Sequence, residues 1–204
     1  MSSALFGVLA LLGALPARAA PTTETIVLIR HGEKPEAGFG QLDCQGLNRA
    51  LALPALIKRE FGRPDAIYAP DPSDAKPDKG IAYDYVRPLA TVEPTAIAMG
   101  LPVHASIGGT HIDRLQQALE LPAYRGALVL VAWEHVEIDK LVRRMMTDHG
   151  GNPNAVPDWK GSDFDSIYVV RLSWTGDKAT AAFERRPEHL DGQSTVCPEP
   201  APHG

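Results

Sequence analysis

Two unbroken apolar runs, each leading to a histidine, constrain this chain more than any other feature. Thr25-Ile26-Val27-Leu28-Ile29 carries no alternation of polar and apolar residues and ends in Arg30-His31-Gly32-Glu33. Residues 127–133 (ALVLVAW) are equally continuous and run into Glu134-His135. A strand that is apolar at every position is covered on both faces, as in a parallel sheet flanked by helices. Ligands of open α/β sheets bind beyond the carboxyl ends of the strands. The two runs therefore predict that His31 and His135 meet at one rim.

The intervening sequence fits that arrangement. Residues 47–61 have helical periodicity, with Pro54 expected to kink or divide the helix. Residues 65–69 read as a short strand closed by Pro70, and residues 102–105 as another. Residues 70–85, rich in Pro, Asp, Lys and Gly, read as a long loop of the length that is usually functional or mobile. Helical patterns cover 86–99, stopping at Gly100, and 112–121, and a further helix begins at 138–146. Residues 166–173 and 179–185 bracket Thr175-Gly176-Asp177 and predict a hairpin. Strands alternating with helices predict an α/β three-layer sandwich with a mostly parallel central sheet and helices on both faces. With 204 residues and no interdomain linker, residues 21–204 are read as one domain.

Residues 1–20 are read as a leader. An apolar run over 4–15 precedes Pro16 and the small-residue pattern Ala17-Arg18-Ala19, which predicts cleavage near Ala19 or Ala20, although no Lys or Arg precedes the run. The run is short against the ~20 residues that span a bilayer. The expected product is periplasmic or secreted, with no stable membrane insertion after cleavage. Cys44 and Cys197 are the two cysteines, and in an oxidising compartment they are candidates for a disulfide. A net charge of −5 gives no broad basic field to gather nucleic acid. His104, His149, His189 and His203 lack ligand-like spacing, so neither metal nor cofactor is predicted.

Arg30-His31-Gly32-Glu33 carries the chemistry. Arginine supplies fixed charge and a fork of donors for a phosphate dianion. Glycine allows close approach to the backbone. A neutral imidazole is a competent nucleophile at phosphorus, and neighbouring guanidinium groups keep it neutral. Glu33 is read as orienting Arg30 or a backbone amide. Trp133, Tyr83 and Tyr85 are candidates to wall the pocket mouth, and residues 71–83 to gate it.

Strand-Arg-His-Gly-Glu near the predicted mature terminus resembles the histidine phosphatase superfamily, also called phosphoglycerate-mutase-like. The resemblance extends over most of residues 24–175. Leu42-Asp43-Cys44-Gln45-Gly46 is similar to the Leu-x-x-x-Gly segment of such proteins. Arg87-Pro88-Leu89-Ala90-Thr91 is similar to their second arginine motif, with Val92 where Ala is usual. His135 stands where a second histidine closes a later strand. The resemblance implies that His31 accepts the phosphoryl group, while Arg30, Arg87 and His135 hold the phosphate. It also implies a metal-free reaction.

The general acid is open at this stage. Family members often carry a carboxylate after the third strand, where this chain reads Ser106-Ile107-Gly108-Gly109-Thr110-His111-Ile112-Asp113. Glu134 is the preferred candidate, because a bound anion raises the pKa of a neighbouring carboxylate. Asp113 and His111 are the alternatives, and Glu134 also reads as an ion-pair partner. The expected activity is hydrolysis of a phosphorylated small molecule or saccharide. The competing expectations are a phosphohistidine or phosphoprotein phosphatase of the same fold, and a non-catalytic phosphate-binding module.

Overall fold

A computed structural model describes residues 20–199 of the chain. All of the predicted leader but Ala20 lies outside the described residues. Within them the elements run β1 (Thr22–Arg30), α1 (Cys44–Glu60), β2 (Ala66–Pro70), β3 (Lys76–Asp78), β4 (Ile81–Tyr83) and α2 (Arg87–Met99). They continue with β5 (Val103–Ile107), α3 (Ile112–Leu119), β6 (Leu128–Trp133), α4 (His135–Asp148), β7 (Ser166–Thr175) and β8 (Lys178–Pro187).

Six strands form one sheet in the order β5-β2-β6-β1-β7-β8. The first four are mutually parallel, and the β7–β8 hairpin adds two antiparallel strands beside β1. The three-layer α/β sandwich expected from the sequence is the observed fold.

Alternation along β1 explains why the run is apolar throughout. Ile26 and Leu28 pack with Leu115, Leu119, Ile138, Leu141 and Met145 of α3 and α4. Val27 and Ile29 pack on the other side with Leu53, Ile57, Val92 and Ala96 of α1 and α2. Every side chain from Ile26 to Ile29 enters a core.

Helix α1 and the segment over residues 70–85 differ from the sequence reading, whereas the expected disulfide is present. Helix α1 starts at Cys44, where the Asp43 side chain accepts the Gly46 N–H at 2.8 Å as an N-cap. It then runs undivided through Pro54. Ala50, Leu53, Leu56 and Ile57 are buried on one face, and this packing outweighs the roughly 3 kcal/mol penalty of an interior proline. The long loop expected over residues 70–85 contains a small antiparallel hairpin, β3–β4, in which Lys76 faces Tyr83. A disulfide joins Cys44 to Cys197, tying the C-terminal segment to the start of α1.

Glu24 is a buried carboxyl on β1, far along the strand from Arg30. Its Oε2 accepts the Trp174 indole N–H at 3.0 Å, while Oε1 has no partner. Burial pushes its pKa up from 4.5 to about 7, against the Trp174 hydrogen bond. The folded state thus holds this proton more tightly than the unfolded chain. The stability it confers is complete below about pH 4.5 and is lost as the pH rises towards 7. Glu24→Gln is expected to match the parent in urea unfolding at pH 4 and to exceed it at pH 8 by about 1–3 kcal/mol. Equal stabilities at pH 8 would show that the carboxyl is not strained.

Candidate active site

The site is assembled at the carboxyl ends of β1 and β6. Arg30 is in register with Trp133, and the His31 N–H donates to the Trp133 carbonyl at 3.1 Å. The residues that follow, His31 and Glu134-His135, therefore leave the sheet side by side. Arg87 is the first residue of α2, which follows the β2 crossover.

Backbone contacts hold the turn after β1. The Gly32 N–H donates to the Thr91 hydroxyl at 2.9 Å, and that hydroxyl donates to the Arg87 carbonyl at 2.8 Å. Thr91 thus couples the histidine loop to the arginine helix. Gly46 comes so close to this loop that a Cβ there would lie 2.3 Å from the Glu33 carbonyl. A Cβ on Gly32 would in turn meet the Gly46 backbone at 2.9 Å. The Leu-x-x-x-Gly segment is spaced to bring these two glycines together.

His31 is buried, and its Nδ1 lies 2.8 Å from the Gly32 carbonyl. A carbonyl only accepts, so Nδ1 carries the proton and a neutral ring keeps its lone pair on Nε2. Burial pushes the imidazole pKa down to about 3, with Arg87 and Arg30 adding to it against the Gly32 hydrogen bond. The ring is neutral at any physiological pH.

Two guanidinium groups flank it. Arg30 Nη1 donates to the carbonyls of Gly161 at 2.8 Å and Asp163 at 2.9 Å, and its Cζ lies 3.7 Å from the Phe164 ring centroid. Burial lowers its pKa to about 10, yet it remains a cation. Arg87 is paired through Nη1 with Asp78, which also holds Lys34 at 2.7 Å. The Nε atoms of both arginines are buried without a partner.

Glu134 and His135 close the opposite side. His135 is the first residue of α4 rather than the last of a strand, and Glu134 is the N-cap, accepting the N–H of Val136 at 3.1 Å and Glu137 at 3.3 Å. His135 Nδ1 lies 2.6 Å from Glu134 Oε1 in an approach too bent for a good hydrogen bond. Burial works to raise the Glu134 pKa, but the imidazole and the α4 amides hold it down to about 2. A ring atom of His135, Nε2, lies close to Gly161, whose carbonyl also binds Arg30.

A sheet of this kind, a four-strand parallel core with an antiparallel hairpin, has counterparts among solved structures. The SixA protein of Nakamurella multipartitia, assigned as a phosphohistidine phosphatase, aligns with a TM-score of 0.55 at 16% identity, over 83% of this chain and 98% of its own. An Escherichia coli K-12 protein assigned as an alpha-ribazole-5'-phosphate phosphatase aligns at 0.52 and 14% identity, over 87% and 99%. This chain shares its fold with these proteins. The product of open reading frame Rv3214 of Mycobacterium tuberculosis aligns at 0.51 and 15% identity, over 81% and 99%. No protein-family model matches the chain, and no curated protein matches it in sequence.

Arg30, His31, Arg87, Glu134 and His135 gather at one rim. Of the other acid candidates, Asp113 is exposed in the first turn of α3, and His111 is exposed with its ring beside Gly108. Glu33 turns away from Arg30 and binds Arg49 instead, through 3.0 and 2.7 Å contacts. Of the three aromatic candidates, Tyr85 flanks His31 with ring centroids 6.1 Å apart. Trp133 is fully buried and holds the Gly109 carbonyl at 2.7 Å, and Tyr83 packs on Phe39. Phe164, Gly161 and Asp78 were not singled out by the sequence. Phe164 lies in an irregular segment with no periodicity, and Asp78 in a stretch read as loop. Among the described residues no cluster of three or more metal-ligating side chains occurs.

Proposed function

We propose that this chain is an exported phosphatase that hydrolyses phosphomonoesters through a phosphohistidine on His31. One observation carries the reading. His31 is buried and neutral, with Nδ1–H committed to Gly32 and the Nε2 lone pair left beside two arginines. The solved neighbours support it at the level of fold.

The steps follow from the chemistry of these groups. The substrate phosphate docks against Arg30, Arg87 and His135, whose donors stabilise charge on its non-bridging oxygens. Nε2 attacks phosphorus and the bond to the leaving oxygen breaks. Glu134 is ionised in the free protein, and the arriving anion raises its pKa so that it binds a proton from solvent. It passes that proton to the leaving oxygen. Water then attacks the phosphohistidine, giving a proton back to the Glu134 carboxylate, and the nitrogen–phosphorus bond breaks to release phosphate and neutral His31.

Aryl phosphates of graded leaving-group pKa test the assignment of the acid. Glu134→Gln is expected to slow poor leaving groups by about 10²-fold or more and good ones little. A small uniform loss would move the acid to another group. Because the neighbours include proteins assigned to phosphohistidine and to a small phosphoester, a phosphohistidine peptide and small phosphomonoesters should be assayed together. Phosphate binding without any turnover would leave a binding module. The Cys44–Cys197 disulfide supports export. A mature protein that begins after Ala19 or Ala20 is the expected product, and retention of residues 1–19 in the mature mass would end that part of the reading.

A further inference from the structure

We propose that Tyr85 is a further ligand-binding residue of this site, its hydroxyl donating a hydrogen bond to a non-bridging oxygen of the bound phosphoryl group. The proposal rests on the reading of the site as a phosphate site and adds to it a donor outside the Arg-His-Gly and Arg-x-x-x-Thr motifs.

Tyr85 lies between the β3–β4 hairpin and α2, where its backbone N–H donates to the Pro72 carbonyl at 2.7 Å. The side chain is 1% exposed, and its hydroxyl hydrogen has no acceptor: no group meets hydrogen-bond geometry with it, and the one side chain that leans on the oxygen, Arg87, is itself a donor. Taking a phenol out of water without a partner costs about 1–3 kcal/mol, and most buried polar groups avoid this. A residue serving only as an apolar wall would do so better as phenylalanine. The hydroxyl therefore needs a use.

Its neighbours supply one. The ring meets the His31 imidazole edge-on at 6.1 Å between centroids. Arg87 Cζ lies 5.0 Å from its centroid and Lys76 Nζ, from the hairpin, 4.7 Å. The hydroxyl lies within the field of Arg87, Glu134 and Arg30. Three buried donor groups without an acceptor thus belong to residues that flank one nucleophile: Tyr85 Oη, Arg30 Nε and Arg87 Nε. A tetrahedral oxyanion is an acceptor that can satisfy all three at once. Burial also raises the phenol pKa, which keeps the group a donor and makes it a poor acid. It therefore serves as a fixed hydrogen bond to the phosphoryl group and leaves protonation of the leaving oxygen to another residue.

The test is Tyr85→Phe, with three readouts: thermal unfolding without ligand, calorimetric affinity for phosphate and tungstate, and kcat and KM on aryl phosphates of graded leaving-group pKa. Removing an unsatisfied buried hydroxyl should leave the unliganded melting temperature equal or higher. Phosphate and tungstate should bind about 10-fold more weakly, and kcat/KM should fall by a similar factor for every leaving group. Unchanged affinity and KM would make the tyrosine a packing residue and overturn the proposal. A loss confined to poor leaving groups would make it the proton donor and overturn it too. If the parent protein neither binds phosphate nor turns over, the phosphatase reading itself fails. A silent Tyr85→Phe beside an active parent sinks only the present proposal.

Discussion

His31→Ala is expected to lower turnover of aryl phosphates by about 10⁴-fold or more, the scale on which loss of a covalent nucleophile is felt. Phosphate should still bind, because Arg30 and Arg87 are anchored independently of the imidazole, by the Gly161 and Asp163 carbonyls and by Asp78. The variant should also fold, since the His31 backbone N–H remains bonded to Trp133 and Gly32 remains bonded to Thr91. A second measurement separates this from a general loss of the site. Acid-labile, base-stable phosphate should be trapped on the parent protein during turnover and be absent from the variant. Turnover that survived the substitution would remove His31 from the mechanism, whatever the fold.

The reach of the sequence followed the range of the interactions involved. The two buried strands were legible because each lies between helices, so every side chain is apolar; Ile26 and Leu28 face one core and Val27 and Ile29 the other. The meeting of His31 with Glu134 and His135 was legible too, because adjacent parallel strands end at the same rim. Gly32 and Gly46 were visible as motif residues, but their contact was not, since it depends on how the loop folds over the start of α1.

Other features depend on pairs distant in sequence. Glu33 was assigned to Arg30 or an amide because those lie nearby in the chain. Its partner is Arg49, one helical segment away and facing inward. Residues 70–85 carry no strand periodicity, and β3 and β4 are only three residues each, so the hairpin that presents Lys76 and Asp78 left no pattern to read. Phe164 reaches Arg30 from a segment whose neighbours, Gly161 and Asp163, act through backbone carbonyls. Carbonyl contacts leave no trace in residue type. Pro54 misled for the opposite reason: a local rule was overridden by tertiary packing.

Arg49→Met is expected to give the largest loss of stability of any substitution outside the site, about 3–5 kcal/mol. Arg49 is fully buried in α1 and holds four carboxyl groups: Glu33 on the loop after His31, Glu188 at 2.6 Å just beyond β8, Asp191 at 2.8 Å and, more loosely, Asp165 at 3.7 Å. Asn48 beside it binds the Ser194 and Val196 carbonyls, and the Cys44–Cys197 disulfide closes the same junction. One guanidinium thus fastens the histidine loop, the first helix and the C-terminal segment together. Burial works to lower its pKa, but Glu33 and Glu188 outweigh this and keep it charged. Glu188 is the exposed weakness of the network, since burial pushes its carboxyl up to about 8 even with Arg49 present. Without the guanidinium, the folded chain can keep Glu188 only in its protonated form. The unfolded chain releases that proton near its usual 4.5, so parent and variant alike should lose stability as the pH rises from about 4.5 to 8, and the variant should go on losing it above 8, where the parent levels off. The deficit against the parent should therefore be larger at pH 9 than at pH 5. The double variant Arg49→Met, Glu188→Gln removes the stranded charge and should recover part of the loss at pH 9, with Glu33 still lacking its partner. Denaturant midpoints at the two pH values decide the matter. An Arg49→Met protein as stable as the parent at pH 9 would mean that disulfide and packing alone hold this junction, and that the buried charges contribute nothing.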